Sequence, residues 1–440
     1  MSTTLDAVVI GASMRGLVAA TLLDRAGRRT VVVDRSRSLG GSDGSFTTAG
    51  GSVFDHGLHV LDADRSAITS ELLLGAVGGA LHRTELRRAL VLRGHVVPYA
   101  PTREELPDEL ARLLPPGELV DDLGDDLPTR ERLAGCYGRG YVDFVFDEVL
   151  PSFPSEARHL AFGVDEARLL VNVYPWFFPR VQWSGASTDE SRAFHDRLRA
   201  GVPQAVLCPP GGFGRFAAGL AAGLDPDRVE VVLGAADLAV EVRPGTHTIT
   251  SVTAGGRRLT ADRYLWAAGW PQLCALLDLP CQDAATDRVH LGSFRLDRPA
   301  STPHHELLVG DPALHVNRIH LPGELRGTSE PLLQVEFAVP VADDRWPQDP
   351  DHWRSRWEAD CRALGLLEPD HRVEEFDHRA FVMHFNGFGA EGEPLRDADP
   401  SLLRPDSNVV PIAPSMANLN LNRWVPRAVE QLTGVLGGDL

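Results

Sequence analysis

A glycine-rich loop near the start of the chain has the residue types that hold a phosphate group. Residues 11–16 read Gly-Ala-Ser-Met-Arg-Gly, and Asp34 ends the next apolar run. In nucleotide-binding loops of this kind the first glycine makes a tight turn, the second lets the backbone approach pyrophosphate, and the third lets the helix pack on its strand. Ser13 replaces the second glycine, and its hydroxyl could donate to a phosphate oxygen. The loop and the acid predict a dinucleotide site.

The elements around the loop must position it. Residues 5–10 are predicted to form a buried parallel strand, 16–26 a helix that Gly27 ends, and 30–34 a second strand. This order places the loop between the carboxyl end of a strand and the amino end of a helix. Backbone N–H groups at a helix N-terminus favour anions, which agrees with a phosphate ligand there.

The stretch from residue 5 to residue 62 resembles a large FAD-binding superfamily. Its members include amine oxidases, protoporphyrinogen oxidase, phytoene desaturases and UDP-galactopyranose mutase. In that superfamily a Gly-Gly pair follows the acid and wraps the pyrophosphate, as Gly40 and Gly41 would do here. A D-x-G-x-H stretch then runs past the isoalloxazine, and Asp55, Gly57 and His59 match it. The letters GLHVLDAD at this point are most similar to the mutase and to the protoporphyrinogen-oxidase-like branch.

Later segments resemble the same superfamily in the same order. Residues 208–224, 231–240 and 261–269 match its middle segment, and HVNRIHLP at 315–322 resembles a substrate-domain strand. The resemblance implies an α/β fold with a Rossmann-like, GR2-type FAD-binding domain and an inserted substrate domain of helices and antiparallel sheet. The FAD-binding domain is expected at 1–65, 203–288 and 378–440, and the substrate-binding domain at 66–202 and 289–377.

The resemblance implies FAD as the cofactor. The residues that it assigns to FAD are Gly11, Ser13, Gly16, Asp34, Arg35, Gly40, Gly41, Gly57, Leu58, His59, Asp237, Asn422 and Trp424. Asp34 would hold the adenosine ribose, and Asp237 would offer backbone atoms to adenine. The last helix, with Pro426 in its first turn, would direct its N-terminus at the flavin C2 carbonyl, where its partial positive charge stabilises reduced flavin.

Three residues are candidates for catalysis, namely His59, Arg318 and His384. His59 would lie beside the flavin ring, where histidine suits proton transfer near neutral pH; the alternative is a histidine of the core. Arg318 could hold an anionic substrate group, or it could form a structural ion pair. His384 falls where the chain is expected to re-enter the FAD-binding domain. The aromatic stretch at 171–183 is compatible with a pocket wall and equally with core.

Composition excludes several classes of protein. The formal net charge is −18, so nucleic acid and acidic membranes are poor partners. All 43 cationic residues are arginine, which rules out a lysine Schiff base. The five cysteines form no CxxC pair, so a metal site or a disulfide framework is not predicted. With no apolar run long enough to span a bilayer and no signal peptide, a cytoplasmic protein is expected.

Together these observations predict an FAD-dependent oxidoreductase. It would oxidise a small or medium organic molecule by hydride transfer to flavin N5, in specialised metabolism, with oxygen or NAD(P)H as a further reaction partner. A non-redox flavin isomerase like the sugar mutase is the alternative. A third class is a protein of the flavin fold that binds without turnover, because Pro414 lacks an N–H near the expected pyrophosphate position.

Overall fold

The computed structural model describes residues 5–79, 81–99, 101–117, 129–153, 204–280, 284–341, 349–389, 400–412 and 421–436. The chain forms two compact units. Unit 1 contains residues 1–83, 206–284 and 395–440, and unit 2 contains residues 84–205 and 285–394.

The described elements are numbered in chain order. The strands are β1 (Leu5–Ile10), β2 (Thr30–Val33), β3 (Ser45–Thr47), β4 (Val53–Asp55), β5 (Leu61–Asp62), β6 (His82–Leu86), β7 (Arg88–Leu92), β8 (His95–Pro98), β9 (Gln204–Cys208), β10 (Val229–Val232), β11 (Ala239–Val242), β12 (Ile249–Ala254), β13 (Arg257–Leu259), β14 (Ala261–Trp266), β15 (Ala284–Leu296), β16 (Glu306–Val309), β17 (Arg318–His320), β18 (Leu332–Pro340), β19 (Val373–Gly389) and β20 (Val409–Pro411). The helices are α1 (Met14–Arg25), α2 (Ala67–Ala76), α3 (Asp108–Ala111), α4 (Thr129–Tyr137), α5 (Arg139–Phe144), α6 (Gly214–Ala222), α7 (Trp270–Leu277), α8 (Pro322–Leu325), α9 (Pro350–Ala363) and α10 (Leu421–Leu436).

Unit 1 is built on a five-stranded parallel sheet in the order β10-β2-β1-β14-β20. Alternate residues of β1 and β2 face opposite sides, and both sides are buried. On one side Val9 and Val32 pack with apolar residues of α1, α2, α6 and α10. On the other, Val8 and Val31 pack with α7 and the three-stranded sheet β11-β12-β13. Burial on both faces explains why these strands are almost continuously apolar. The predicted Rossmann-like α/β fold is confirmed.

Unit 2 is built on a seven-stranded sheet in the order β19-β15-β18-β17-β16-β7-β8. From β15 to β8, neighbouring strands pair antiparallel except β16 and β7, which are parallel. Trp353 and Trp357 of α9 are fully buried against this sheet. Gly292 in β15 is required there, because a Cβ at this position would lie 2.3 Å from the Trp357 ring. Unit 2 confirms the predicted fold class, in which helices are combined with a largely antiparallel sheet.

Two details differ from the predictions. Helix α2 belongs to unit 1, although residues 66–83 were expected in the inserted domain, because Leu72 and Leu73 pack into the core formed by α1 and α6. The last helix begins at Leu421, so Pro426 lies inside it and not in its first turn. Among the described residues, no helix combines the length and the apolar character needed to cross a membrane.

Candidate dinucleotide site

The loop between β1 and α1 has the geometry that its two remaining glycines predict. Gly11 has a φ of 109°, and its N–H donates to the Val33 carbonyl at 2.9 Å. A Cβ on Gly11 would lie 3.1 Å from the Ala267 carbonyl carbon. A Cβ on Gly16 would lie 1.9 Å from the Gly11 carbonyl oxygen, which no L side chain tolerates. The two glycines therefore allow the loop and the first turn of α1 to pack against each other and against β14.

The Ser13 side chain caps the N-terminus of helix α1. Its Oγ accepts from the Gly16 N–H at 3.5 Å and donates to the Ala267 carbonyl at 3.1 Å. The hydroxyl proton that we expected to reach a phosphate oxygen is thus already used in a hydrogen bond to β14 and its following loop. The sequence could not show this acceptor, because Ala267 is 254 residues away along the chain. The capped helix still directs the amino end of α1 at the loop.

Asp34 lies half-buried at the rim of the loop. Its two carboxylate oxygens accept from the Ala12 and Ser36 N–H groups, each at 2.7 Å. The carboxylate is thus fixed at the rim of the loop, and its contact with a ribose stays a prediction. The neighbouring Arg35 is exposed and donates to the Leu238 carbonyl at 2.8 Å.

The Gly40-Gly41 pair lies directly against the loop. The Gly40 N–H donates to the Ala12 carbonyl at 2.9 Å, and the two glycines have φ values of 95° and 60°. A Cβ on Gly41 would lie 3.2 Å from the Ser13 Cβ. The pair therefore forms a second backbone wall beside the amino end of α1, in contact with Ser13.

Asp55 anchors the segment that leads to Gly57 and His59. Its Oδ1 accepts from the Ser45 hydroxyl and from the Phe213 N–H at 2.8 Å, and its side chain is buried. This carboxylate joins β4 to the turn before α6. Gly57 then takes a φ of 113°, and this conformation sends the chain toward His59. Asp55 thus has a structural role, which its place in the D-x-G-x-H motif did not indicate.

His59 is the centre of a cluster that sequence analysis missed. Its Nδ1 lies 3.8 Å from an oxygen of Asp43, and its ring centre lies 5.5 Å from that of Phe213. Its Nε2 is buried and has no hydrogen-bond partner among the residues that the structure describes. Burial raises the pKa of the Asp43 carboxyl, while the positive charges of His59 and Arg15 act in the opposite direction.

Arg15 connects this cluster to the last helix. Its guanidinium carbon lies 5.8 Å from the centre of the Trp424 ring. Burial lowers the pKa of Arg15, and the nearby Asp43 partly offsets that shift. Trp424 is 2% exposed, so its indole lies in the core of unit 1 and not at an open surface. A charged side chain in each of two glycine-rich loops, Arg15 and Asp43, was the available signal for this cluster.

Other predicted contacts have different surroundings. The Asp237 carboxylate accepts from the Gly255 and Gly256 N–H groups at 2.9 and 2.7 Å, which lower its pKa and fix the β12–β13 turn. Leu58 is half-buried next to His59. The side chain of Asn422, all of Pro414 and the aromatic stretch at 171–183 lie outside the described residues, as does the His384 side chain on β19.

Arg318 lies in unit 2, within an ion-pair network. Its Nε is 3.2 Å from Glu306 and its Nη1 is 3.2 Å from Glu336. Glu306 is 3% exposed and also pairs with Arg88. The sequence left two roles open for Arg318, and the structure shows the structural ion pair. An anion-binding role for Arg318 stays a prediction.

Comparison with known proteins supports the fold that these features define. Residues 9–72 match a family described as an NAD(P)-binding Rossmann-like domain. No curated protein matches the sequence. Unit 1 thus has a Rossmann-like fold, and the segments of unit 2 are inserted between those of unit 1 along the sequence.

Solved structures give a more particular likeness. A putative protoporphyrinogen oxidase from Exiguobacterium sp. 255-15 superimposes with a TM-score of 0.66 and 16% identity, over 99% of both chains. Reduced UDP-galactopyranose mutase gives 0.60 and 15%, over 99% of this chain and 96% of that one. Putrescine oxidase bound to putrescine gives 0.60 and 16%, over 99% of both. At such identities the likeness establishes the fold, which agrees with the fold that the sequence resemblance implied.

Proposed function

We propose that unit 1 binds FAD and that the protein is an FAD-dependent oxidoreductase acting on a small or medium organic molecule. The observation that carries this proposal is the pair of glycine walls at the amino end of α1, with the Asp34 carboxylate fixed at their rim. Backbone without side chains is what a pyrophosphate needs to approach closely, and a helix N-terminus favours its charge.

The surroundings of His59 in unit 1 are compatible with a bound cofactor. The buried Nε2 of His59 lacks a partner among the described residues, and buried polar atoms in folded proteins are usually hydrogen-bonded. A bound flavin cofactor would supply hydride acceptance at N5. The chain itself would hold the pyrophosphate at Gly11, Gly16, Gly40 and Gly41, and the ribose at Asp34.

The roles of the other predicted residues follow from the same proposal. Leu58 and His59 would line the ring end of the site, and the backbone at Asp237 the adenine end. Arg318 and His384 remain candidates for substrate contact in unit 2. The substrate would be a small molecule, and oxygen or NAD(P)H would be the further redox partner.

A flavin isomerase without net redox change is the second candidate. The likeness to reduced UDP-galactopyranose mutase over 99% of this chain favours it, as does the GLHVLDAD stretch. In that case the reduced cofactor would be needed for activity but would not be consumed.

One experiment separates the two candidates. The purified protein is divided under anaerobic conditions into an oxidised sample and an NADPH-reduced sample, and the visible spectrum of each is recorded before and after a panel of candidate substrates is added. An oxidoreductase shows a change of flavin redox state that depends on one substrate and releases an oxidised product. An isomerase converts its substrate only after reduction and leaves the flavin reduced. A protein with no flavin spectrum contradicts both.

A further inference from the structure

The two nitrogens of the His59 ring have different surroundings. Nδ1 faces the Asp43 carboxylate at 3.8 Å, whereas the buried Nε2 faces no hydrogen-bond partner among the described residues. Both side chains are about one-fifth exposed, at 23% and 22%. The ring therefore has one nitrogen directed at a carboxylate and one with no partner in the described part of the chain.

The supports of both side chains hold this arrangement in place. Asp43 ends a short helical turn that begins at Gly41, and its N–H donates to the Gly40 carbonyl at 3.2 Å. The face of the imidazole packs on Phe213, whose N–H is held by Asp55. The Asp43 backbone is thus attached to the Gly40-Gly41 wall, whereas the His59 ring packs on the turn before α6.

We propose that Asp43 is a positioning residue that keeps the proton of His59 on Nδ1 and so presents Nε2 as a hydrogen-bond acceptor to a ligand N–H or O–H group. This inference rests on the proposed function, because it places the acceptor in the FAD site. At 3.8 Å the attraction between the carboxylate and the N–H of a neutral imidazole is electrostatic, without a direct hydrogen bond. A proton held on Nδ1 leaves Nε2 of the neutral ring as the acceptor. His59 then acts first as an acceptor or base and becomes a donor only after it has taken up a proton.

The surrounding charges make this preference depend on pH. Among the described residues, the charged groups that act on Asp43 are His59 and Arg15, and burial acts against its ionised form. As pH falls, the Asp43 carboxyl takes up a proton at a higher pH than an exposed carboxyl would. A protonated carboxyl lacks the negative charge that attracts the Nδ1 proton, so the positioning effect of Asp43 is lost at low pH.

The tautomer can be measured directly by NMR of the full-length protein labelled with ¹⁵N-histidine. His59→Gln identifies the His59 signals. In the wild-type protein at neutral pH we expect the Nδ1–H tautomer. Asp43→Asn should convert it to Nε2–H, because an amide N–H can donate to Nδ1. Glu71→Gln removes an exposed carboxylate of unit 1 that pairs with Arg25, and should leave the His59 signals unchanged.

Several results would overturn the inference. A wild-type Nε2–H tautomer would do so, as would an unchanged tautomer in Asp43→Asn. If that variant unfolds, Asp43→Ala provides the second measurement, and it should leave His59 as a mixture of tautomers. Titration with FAD should shift the Nε2 signal selectively. Failure of FAD to bind contradicts the proposed function, whereas bound FAD with an undisturbed Nε2 contradicts the inference alone.

The same variants give a kinetic readout. Once a reducing substrate is known, Asp43→Asn should change the pH profile of flavin reduction and slow it less than His59→Gln does. General acid–base catalysis sets a ceiling of about 10²–10⁴-fold for the loss. A uniform loss of FAD affinity without a change of pH profile would indicate a merely structural Asp43.

Discussion

At the scale of single residues, Asp34 gives the most specific prediction about FAD binding. Its carboxylate is held by two backbone N–H groups, so it is oriented before a ribose hydroxyl arrives. A hydrogen bond to a charged group contributes about 1.5–3 kcal/mol. Asp34→Ala should therefore weaken FAD binding by about 10- to 100-fold, measured by calorimetric titration. Asp6→Ala is the control, because Asp6 also accepts a backbone N–H but at the opposite end of β1. Equal losses in both variants would contradict a ribose contact.

The contacts of the Arg318 side chain change the effect that we expect from its removal. The guanidinium lies between two glutamates, and Glu306 is almost fully buried. Removing one partner of a buried pair leaves an uncompensated charge, which costs about 3–5 kcal/mol when burial is complete. Arg318 is 37% exposed, so Arg318→Ala should lower the free energy of unfolding by a smaller amount, about 1–3 kcal/mol. Denaturant unfolding measures it. Unchanged stability with a raised KM would instead favour an anion clamp.

At the scale of elements, the packing of α1 on its loop depends on one glycine. Gly16→Ala would push a methyl group into the Gly11 carbonyl, so we expect loss of FAD binding and a lower melting temperature. Gly75→Ala is the matched control in helix α2, where an added Cβ meets nothing within 4 Å. That control should be neutral or stabilise by up to about 1 kcal/mol, since alanine favours a helix. Two variants with equal melting temperatures would show that α1 does not need this close approach.

A histidine pair joins three elements of unit 2 and should make its stability depend on pH. His290 of β15 packs on Trp353 of α9, and its Nδ1 lies 3.2 Å from Nε2 of His378 on β19. Burial, with a smaller contribution from His378, lowers the pKa of His290 to about 4. The unfolded chain therefore takes up this proton first, and stability falls as pH decreases from about 6.5 to about 4. The loss is about 3 kcal/mol at most.

Thermal unfolding between pH 7 and pH 4 tests this expectation. His290→Phe should reduce the loss of stability over that interval, because phenylalanine keeps the aromatic contact and cannot bind a proton. His95→Gln removes an exposed histidine of the same unit and should keep the wild-type slope. A wild-type slope in His290→Phe would remove His290 from the acid response.

At the scale of the whole molecule, periodicity and motif order were sufficient for the fold. Strands 5–10 and 30–34 were predictable because a parallel sheet buried on both sides leaves nearly every residue apolar. The glycines at 11, 16, 40 and 41 were predictable because a positive φ or a close backbone contact at these positions disfavours a side chain.

The side-chain partners were not predictable for a physical reason. Arg15, Asp43 and His59 meet only because turns at positive φ bring three loops together, and Ser13 reaches a carbonyl 254 residues away. Likewise, the partners of Arg318 lie on neighbouring strands whose register is not apparent from composition. Local pattern determines elements, whereas such contacts depend on tertiary geometry.

The central claim is that unit 1 holds FAD, and the cofactor of the purified protein tests it most directly. The visible spectrum is recorded before and after reconstitution with FAD, and the nucleotide released on denaturation is separated beside FAD, FMN and NADP standards. The glycine walls, Asp34 and the His59 Nε2, for which the described part of the chain offers no partner, predict a flavin spectrum and released FAD. Recovery of NADP, or of no nucleotide after reconstitution, would contradict the account.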